Sequence, residues 1–359
     1  MIQESVLHIC HGYSGPFLDV ARQYNDALVR CGFDVHTVYL TGAENPQVRA
    51  LTGGGKVSFL GQSSSDIAGL KLGAILAIRR FASVGCYAFC VTHRFKPAFI
   101  ACLATRLPVM AVFHAFGTFQ RRSRRLLAGL FGKRLLILGV SDAVRDDIRS
   151  ALGLTRVGVE TFHNRIDVDA GRAQLLDRAQ ARQTLGIAAD AFVLGNVGRL
   201  HPDKDQATLL KGFAAARQNL PAGSCLVIVG SGRLKASLHE LAQALGLSEN
   251  DVLWIDHLPD ARRYFRAFDA FVLSSDHEPF GMVVLEALVA EVPVVATRAG
   301  GVPEILGQDH PLLFPVGDVS CLQGALLRVA DLKVEERAAL VAEMDRRLRA
   351  QFSFEVAAG

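Results

Sequence analysis

From one end of this 359-residue chain to the other, short runs of apolar and β-branched residues alternate with amphipathic segments of helix length. The strand-length runs fall at residues 6–10, 35–40, 57–60, 88–92, 109–114, 135–140 and 158–162, then at 192–197, 226–229, 252–255, 270–273, 294–296 and 312–314. Strands apolar on both faces and separated by helices belong to parallel sheets covered on both sides. The pattern restarts at Phe192 after a polar helical stretch at 170–185, and the chain is too long for one ordinary core. The reading is therefore α/β, with two Rossmann-like, doubly wound parallel-sheet domains facing across a cleft. The first is expected over residues 1–169 and the second over 170–340. A closing helix over 341–359 is expected to reach back toward the first domain.

In such sheets ligands bind beyond the carboxyl ends of the strands, so the loops there carry the functional reading. The most informative one runs from Ser275 to Leu288. Glu278 precedes a Pro279-Phe280-Gly281 turn, and Glu286 sits in the apolar run Met282, Val283, Val284, Leu285, Ala287, Leu288. A carboxylate in such company needs a cation or a ligand's hydroxyls. The free N–H groups at the start of the helix suit an anion such as a phosphate. Hydroxyls and phosphate together point to a nucleotide sugar.

Three other strand ends in the same domain add to this. Gly198-Arg199 and Lys204 offer a planar fork and a point charge that can converge on a pyrophosphate, or can be two solvated cations. Gly230 and Gly232, and later Gly300-Gly301, allow close backbone approach or simply make βα turns. In the first domain, Gly12 and Gly15 follow the opening strand without the spacing of a dinucleotide fingerprint. His114 ends the run 109–114 as either a satisfied core histidine or a residue on the cleft edge. Asp167 and Asp169 read as a helix N-terminal acidic pair rather than a metal motif.

Charge and cysteines narrow the class. Residues 1–169 hold 20 Lys and Arg against 12 Asp and Glu, while the rest of the chain is slightly acidic. One domain is thus suited to an anionic partner. Six cations between Arg121 and Arg134 surround Leu126, Leu127, Leu130 and Phe131, which lie on one helical face. That segment is either an ordinary surface helix or a contact with anionic membrane. Nucleic acid is not expected, because no aromatic stacking platform or recognition helix accompanies the charge. The seven cysteines are scattered without a Cys-x-x-Cys pair, which fits reduced thiols in the cytoplasm. No leader segment or membrane span is visible.

Taken together, these residues resemble the retaining glycosyltransferases of family 4, which have the GT-B fold. The block from Glu278 to Glu286 is similar to that family's E-x7-E motif, Gly198-Arg199 with Lys204 to its pyrophosphate loop, and Gly300-Gly301 to its late glycine turn. The resemblance implies a nucleotide-sugar donor, UDP favoured over GDP, and no cofactor or divalent metal. It implies that Glu286 meets the ribose hydroxyls and Glu278 the transferred sugar. Arg199 and Lys204 would neutralise the diphosphate, helped by backbone groups of Phe280, Gly281, Met282 and Val283. His257 and Leu258 would line the base pocket, Gly230 and Gly232 the donor site, Gly15 would close over the diphosphate, and His114 would contact the donor sugar. The expected acceptor is a glycan or lipid-linked glycan of bacterial cell-surface or lipopolysaccharide synthesis, reached at the inner membrane face. Lys204-Asp205, Asn164-Arg165 and Gly15-Pro16 depart from the family's usual glycines. A nucleotide-sugar 2-epimerase of the same fold and a non-catalytic sugar-binding protein are the competing readings.

Overall fold

The computed structural model describes residues 4–14, 17–63, 65–153 and 157–354. They form two compact units divided between Arg165 and Ile166. The boundary lies just before the expected one because Ile166 is tied to the end of the chain. Its N–H donates to the Phe352 carbonyl at 2.9 Å, and it forms a parallel bridge with Ser353.

The first unit is built on seven parallel strands: β1 (Ser5–Cys10), β2 (Asp34–Thr41), β3 (Lys56–Gln62), β4 (Tyr87–His93), β5 (Val109–Phe113), β6 (Leu135–Gly139) and β7 (Gly158–Thr161), in the order β3-β2-β1-β4-β5-β6-β7. The second has six: β8 (Val193–Val197), β9 (Cys225–Val229), β10 (Val252–Ile255), β11 (Ala270–Leu273), β12 (Val294–Thr297) and β13 (Leu313–Phe314), in the order β10-β9-β8-β11-β12-β13. Every run read as a strand in the sequence is one, and helices connect them. In the second sheet Leu194, Ile228, Val272 and Val295 are buried with Phe213 and Phe314. Each such side chain contributes about 1.5–3 kcal/mol by leaving water.

Both sheets reverse their strand order at one place, between β1 and β4 and between β8 and β11. Such reversals splay the loops at the strands' carboxyl ends and open a crevice for a ligand.

The polar stretch after Ile166 belongs to the second unit for a specific electrostatic reason. Arg182 is buried and donates to Asp269 Oδ2 at 2.8 Å and to the Ala267, Ala188 and Ala189 carbonyls. Asp269 in turn accepts from the Val193 N–H at the start of β8. The C-terminal helix Val334–Arg347 also packs within this unit: Arg347 donates to the Ile305 and Glu304 carbonyls, and Phe352 meets Phe280 edge to face at 5.8 Å. Asp167 caps the helix Val168–Gln174 by accepting from the Ala170 N–H, and Asp169 pairs with Arg349 at 3.3 Å. Both carboxylates of that motif therefore have structural work.

Candidate active site

The loops after β8 and β11 meet at the reversal of the second sheet. After β8 the chain runs through Gly198, Arg199 and Leu200 into a single tight turn, Pro202–Lys204. After β11 it runs through Ser274, Ser275 and Asp276 to Glu278. Backbone groups hold the two loops together: the Asp276 N–H donates to the Asp203 carbonyl at 3.1 Å, and the Ser274 hydroxyl donates to the Lys204 carbonyl at 2.9 Å.

That framework brings Lys204 Nζ to 2.5 Å from Glu278 Oε2. Glu278 is buried, and the same oxygen accepts from Ser275 Oγ at 3.0 Å. A buried carboxylate needs hydrogen-bond partners, and here an ammonium and a hydroxyl supply them. Its backbone is fixed as well, since its carbonyl accepts from the Gly301 N–H at 3.1 Å and the neighbouring Ser275 carbonyl accepts from Thr297 Oγ1 at 2.6 Å. The glycine turn after β12 is thus joined to the same site.

Lys204 reaches Glu278 because the turn closes on a residue in the left-handed region. Asp205 has φ 41°, and its carboxylate caps the next helix, Gln206–Ala216, by accepting from the Thr208 N–H at 3.2 Å. An aspartate tolerates that conformation where its side chain bonds locally, which accounts for this turn closing without a glycine. Gln206 fixes the other end, donating to the Arg199 carbonyl at 2.9 Å, and Arg199 itself is exposed.

The glycines after β9 are there for space. A Cβ on Gly230, whose φ is +146°, would lie 1.9 Å from the Gly198 carbonyl oxygen, and one on Gly232 would lie 2.3 Å from that of Leu200. The two loops are in backbone contact, with the Gly198 N–H on the Val229 carbonyl and the Leu200 N–H on that of Ser231. Only glycine permits this.

Gly281, at φ 110°, starts the helix Met282–Val289, whose first turn has no capping side chain and no acidic residue. Phe280 is buried, while Met282 and Val283 are half-buried. Glu286 differs from its sequence reading: Leu285, Ala287 and Leu288 are buried, but Glu286 is half-exposed, so it lies at the edge of the helix's apolar face. His257 is exposed and Leu258 half-buried in the loop after β10, next along the same sheet edge.

In the first unit His114 stands one residue past β5, half-buried, with its Nε2 3.0 Å from His93 Nδ1. Gly15 lies outside the described residues. Sequence reasoning missed Ser275, the backbone contacts of Asp203, and the histidines behind His114. Only the recurrence of His8, His93 and His114 near the ends of predicted strands hinted at the last.

The helix Arg122–Phe131 divides the leucines that the sequence placed on one face. Leu127 and Phe131 join Phe95, Phe99, Phe113 and Phe119 around a small apolar cavity, whereas Leu126 and Leu130 are 76 % and 74 % exposed. A cavity of about 460 Å³ lined by Ser5, Asp34, His36, Lys56 and Tyr87 sits at the opposite, amino-terminal ends of the first unit's strands.

Comparison with known proteins agrees with this geometry. Residues 177–346 match the family model "Glycosyl transferases group 1", a span that lies within the second unit. The D-inositol 3-phosphate glycosyltransferase of Saccharomonospora viridis is 37 % identical over 183 residues, covering 48 % of this chain and 42 % of that protein. The lipopolysaccharide core biosynthesis glycosyltransferase LpsE of Rhizobium meliloti is 36 % identical over 172 residues, covering 47 % of each. This chain spans less than half the length of the curated relatives it matches. Over the whole chain the fold is that of GT-B structures. A Rickettsia africae glycosyltransferase superposes with TM-score 0.85 at 13 % identity (100 % of this chain, 96 % of that one). Anabaena HepE, crystallised with UDP, superposes with TM-score 0.78 at 19 % identity (99 % and 97 %).

Proposed function

We propose that this chain is a retaining glycosyltransferase of family 4, moving a sugar from a nucleotide-sugar donor to a glycan or lipid-linked acceptor. The observation that carries the reading is the Lys204–Glu278 pair, buried at the glutamate, which spans the strand-order reversal within the region that matches the glycosyl transferases group 1 model. Glu278 Oε2 is occupied by Lys204 and Ser275, which leaves Oε1 to accept from a sugar hydroxyl. Arg199, exposed on the adjoining loop, and Lys204 take up the charge that grows on the diphosphate as the glycosidic bond breaks. The open helix start at Gly281 adds backbone dipoles to the same end. Glu286, at the edge of that helix, serves the ribose, and His257 and Leu258 serve the base.

UDP is preferred over GDP, a preference in keeping with the UDP complex of Anabaena HepE. The two cations carry the leaving-group role, so the reading requires no divalent metal. Retention of anomeric configuration is assigned to attack on the face from which the diphosphate leaves.

The acceptor reading rests on the first unit. Exposed Leu72, Leu76, Leu103, Leu126 and Leu130 lie on the helices Leu72–Val84, Phe95–Ala104 and Arg122–Phe131. Cation–ring contacts knit these helices together: Lys71 lies 5.0 Å from the Phe99 ring and Arg124 4.9 Å from that of Phe95. Exposed Arg79, Arg80, Arg121 and Arg122 accompany the leucines. Apolar contacts set among cations suit the anionic surface of a bilayer, where a lipopolysaccharide-type acceptor resides. Among the described residues no helix is long and apolar enough to cross a membrane, so the contact proposed is peripheral, on the cytoplasmic side.

The test is product analysis with radiolabelled UDP-sugars and membrane extracts as acceptor source. A new α-linked glycoside from an α-configured donor supports the reading. An isomerised donor without any glycoside would replace it with the epimerase.

A further inference from the structure

Three neighbouring strands of the first sheet, and the residue just past a fourth, carry a row of polar side chains that runs sideways across it. Thr37 on β2 is the register partner of His8 on β1, and its Oγ1 lies 3.2 Å from His8 Nδ1. His8 Nε2 lies 2.8 Å from Nε2 of His93, the last residue of β4, and His93 Nδ1 lies 3.0 Å from His114 Nε2 just beyond β5. Thr37, His8 and His93 are buried. We infer that Thr37, His8 and His93 set the tautomer of His114, so that its ring presents Nδ1–H as a neutral hydrogen-bond donor. The functional weight of this rests on the proposed role of His114 at the donor sugar, whose hydroxyl oxygens would be the acceptors.

Donor accounting fixes the direction. A neutral imidazole has one N–H and one acceptor nitrogen, so the row must run one way or the other. If it ran from His114 toward Thr37, the Thr37 hydroxyl would receive a bond from His8. Its own proton would then have no acceptor among the described residues, where His8 is its one hydrogen-bond partner, and an orphaned buried donor is costly. Running from Thr37, the hydroxyl and the buried ring N–H groups of His8 and His93 all have acceptors, and Cys10 Sγ is left as a second, weak acceptor for His8 Nε2–H. The Thr37 O–H donates to His8 Nδ1, His8 Nε2–H to His93 Nε2, and His93 Nδ1–H to His114 Nε2.

The surroundings keep the row uncharged. Burial depresses His8 and His114 to about 4. His93 is driven well below its ordinary value by burial, then by His8, His114 and Arg94. Tyr24 covers the row with its ring edge-on, 4.5 Å from His93 and 6.2 Å from His114. Cys10 Sγ lies 3.4 Å from His8 Nε2, and burial raises its thiol, which therefore keeps its proton. His8, Cys10 and His93 are close enough to hold a metal ion, but an ion would require His8 Nε2 without its proton and so excludes this row.

Long-range proton–nitrogen NMR on the full chain labelled with 15N-histidine, without any substrate, tests the assignment. At pH 7 the wild type is expected to show protons on Nε2 of His8 and on Nδ1 of His93 and His114, none titrating between pH 5.5 and 8. Thr37→Val removes the first donor at equal volume and should give a mixture of His114 tautomers, while Thr37→Ser should keep the wild-type pattern. A proton on His114 Nε2, an imidazolium at pH 6.5, or stoichiometric zinc bound at His8 in the wild type would overturn it, whether or not Thr37→Val folds. Failure of nucleotide binding would count against the proposed function and leave this pattern intact.

Discussion

Lys204 Nζ and Glu278 Oε2, 74 residues apart in the chain, lie 2.5 Å from each other where the second sheet reverses its strand order. The pair is mostly shielded from water, with the lysine side chain 20 % and the glutamate side chain 9 % exposed. Removing one partner leaves the other as an uncompensated charge, which typically costs about 3–5 kcal/mol when fully buried and less at this exposure. Lys204→Met is therefore expected to destabilise the second unit by roughly 2–3 kcal/mol. Adding Glu278→Gln should recover about half of that. Urea unfolding of both single variants and the double variant measures the coupling, and strict additivity would show that the pair contributes nothing.

The glycine after β9 makes a second prediction. Gly230→Ala places a methyl group 1.9 Å from the Gly198 carbonyl oxygen, at a φ that L residues avoid. The loops after β8 and β9 must part, at a cost of about 2–4 kcal/mol. Gly223→Ala, also at positive φ but with open space around its Cβ, should cost only about 1 kcal/mol from backbone strain. Equal melting temperatures for the two variants would contradict the crowding argument.

Stability should also fall in mild acid. His8 is fully buried and sits at about 4, against an ordinary 6.5 that it regains on unfolding. Between those values the unfolded chain binds a proton that the folded one does not, so stability declines as pH drops from 6.5 toward 4. One such histidine accounts for on the order of 3 kcal/mol over that window. His93 and His114 act in the same direction. Urea midpoints at pH 7, 6 and 5 should decrease in order, and His8→Asn should flatten the trend. A midpoint independent of pH over this range would contradict the burial account.

The exposed leucines separate surface chemistry from folding. Leu126→Gln with Leu130→Gln is expected to leave the melting temperature within about 2 °C, since both side chains are already in water. Co-sedimentation with vesicles rich in anionic lipid should drop several-fold. Unchanged sedimentation in that variant, and again with Arg121 and Arg122 made Gln, would remove the membrane contact.

Much of this architecture was legible in the residues. Parallel strands buried on both faces read as unbroken apolar runs, so all thirteen were visible, and the loops after them drew attention to Arg199, Lys204, Gly230, Glu278 and Gly301. What could not be read was lateral. Periodicity places a side chain on a strand but does not say which residue lies beside it on the next one. The Lys204–Glu278 bond, the Ser275 hydroxyl behind it and the row from Thr37 to His114 all depend on that. The burial of Glu286 was overstated for a related reason. Its neighbours are apolar, but a helix edge can hold one polar residue in a buried run. Likewise Leu126, Leu127, Leu130 and Phe131 span an arc wide enough that the helix half-buries two and exposes two.

The central claim is that the loops after β8 and β11 bind the diphosphate of a nucleotide sugar. Calorimetric titration of UDP into the full chain tests it most directly. The account predicts saturable one-to-one binding that weakens at least tenfold in Arg199→Ala and in Lys204→Met. Absence of binding by UDP, GDP and ADP to the folded wild type, or equal affinity in both variants, would contradict it.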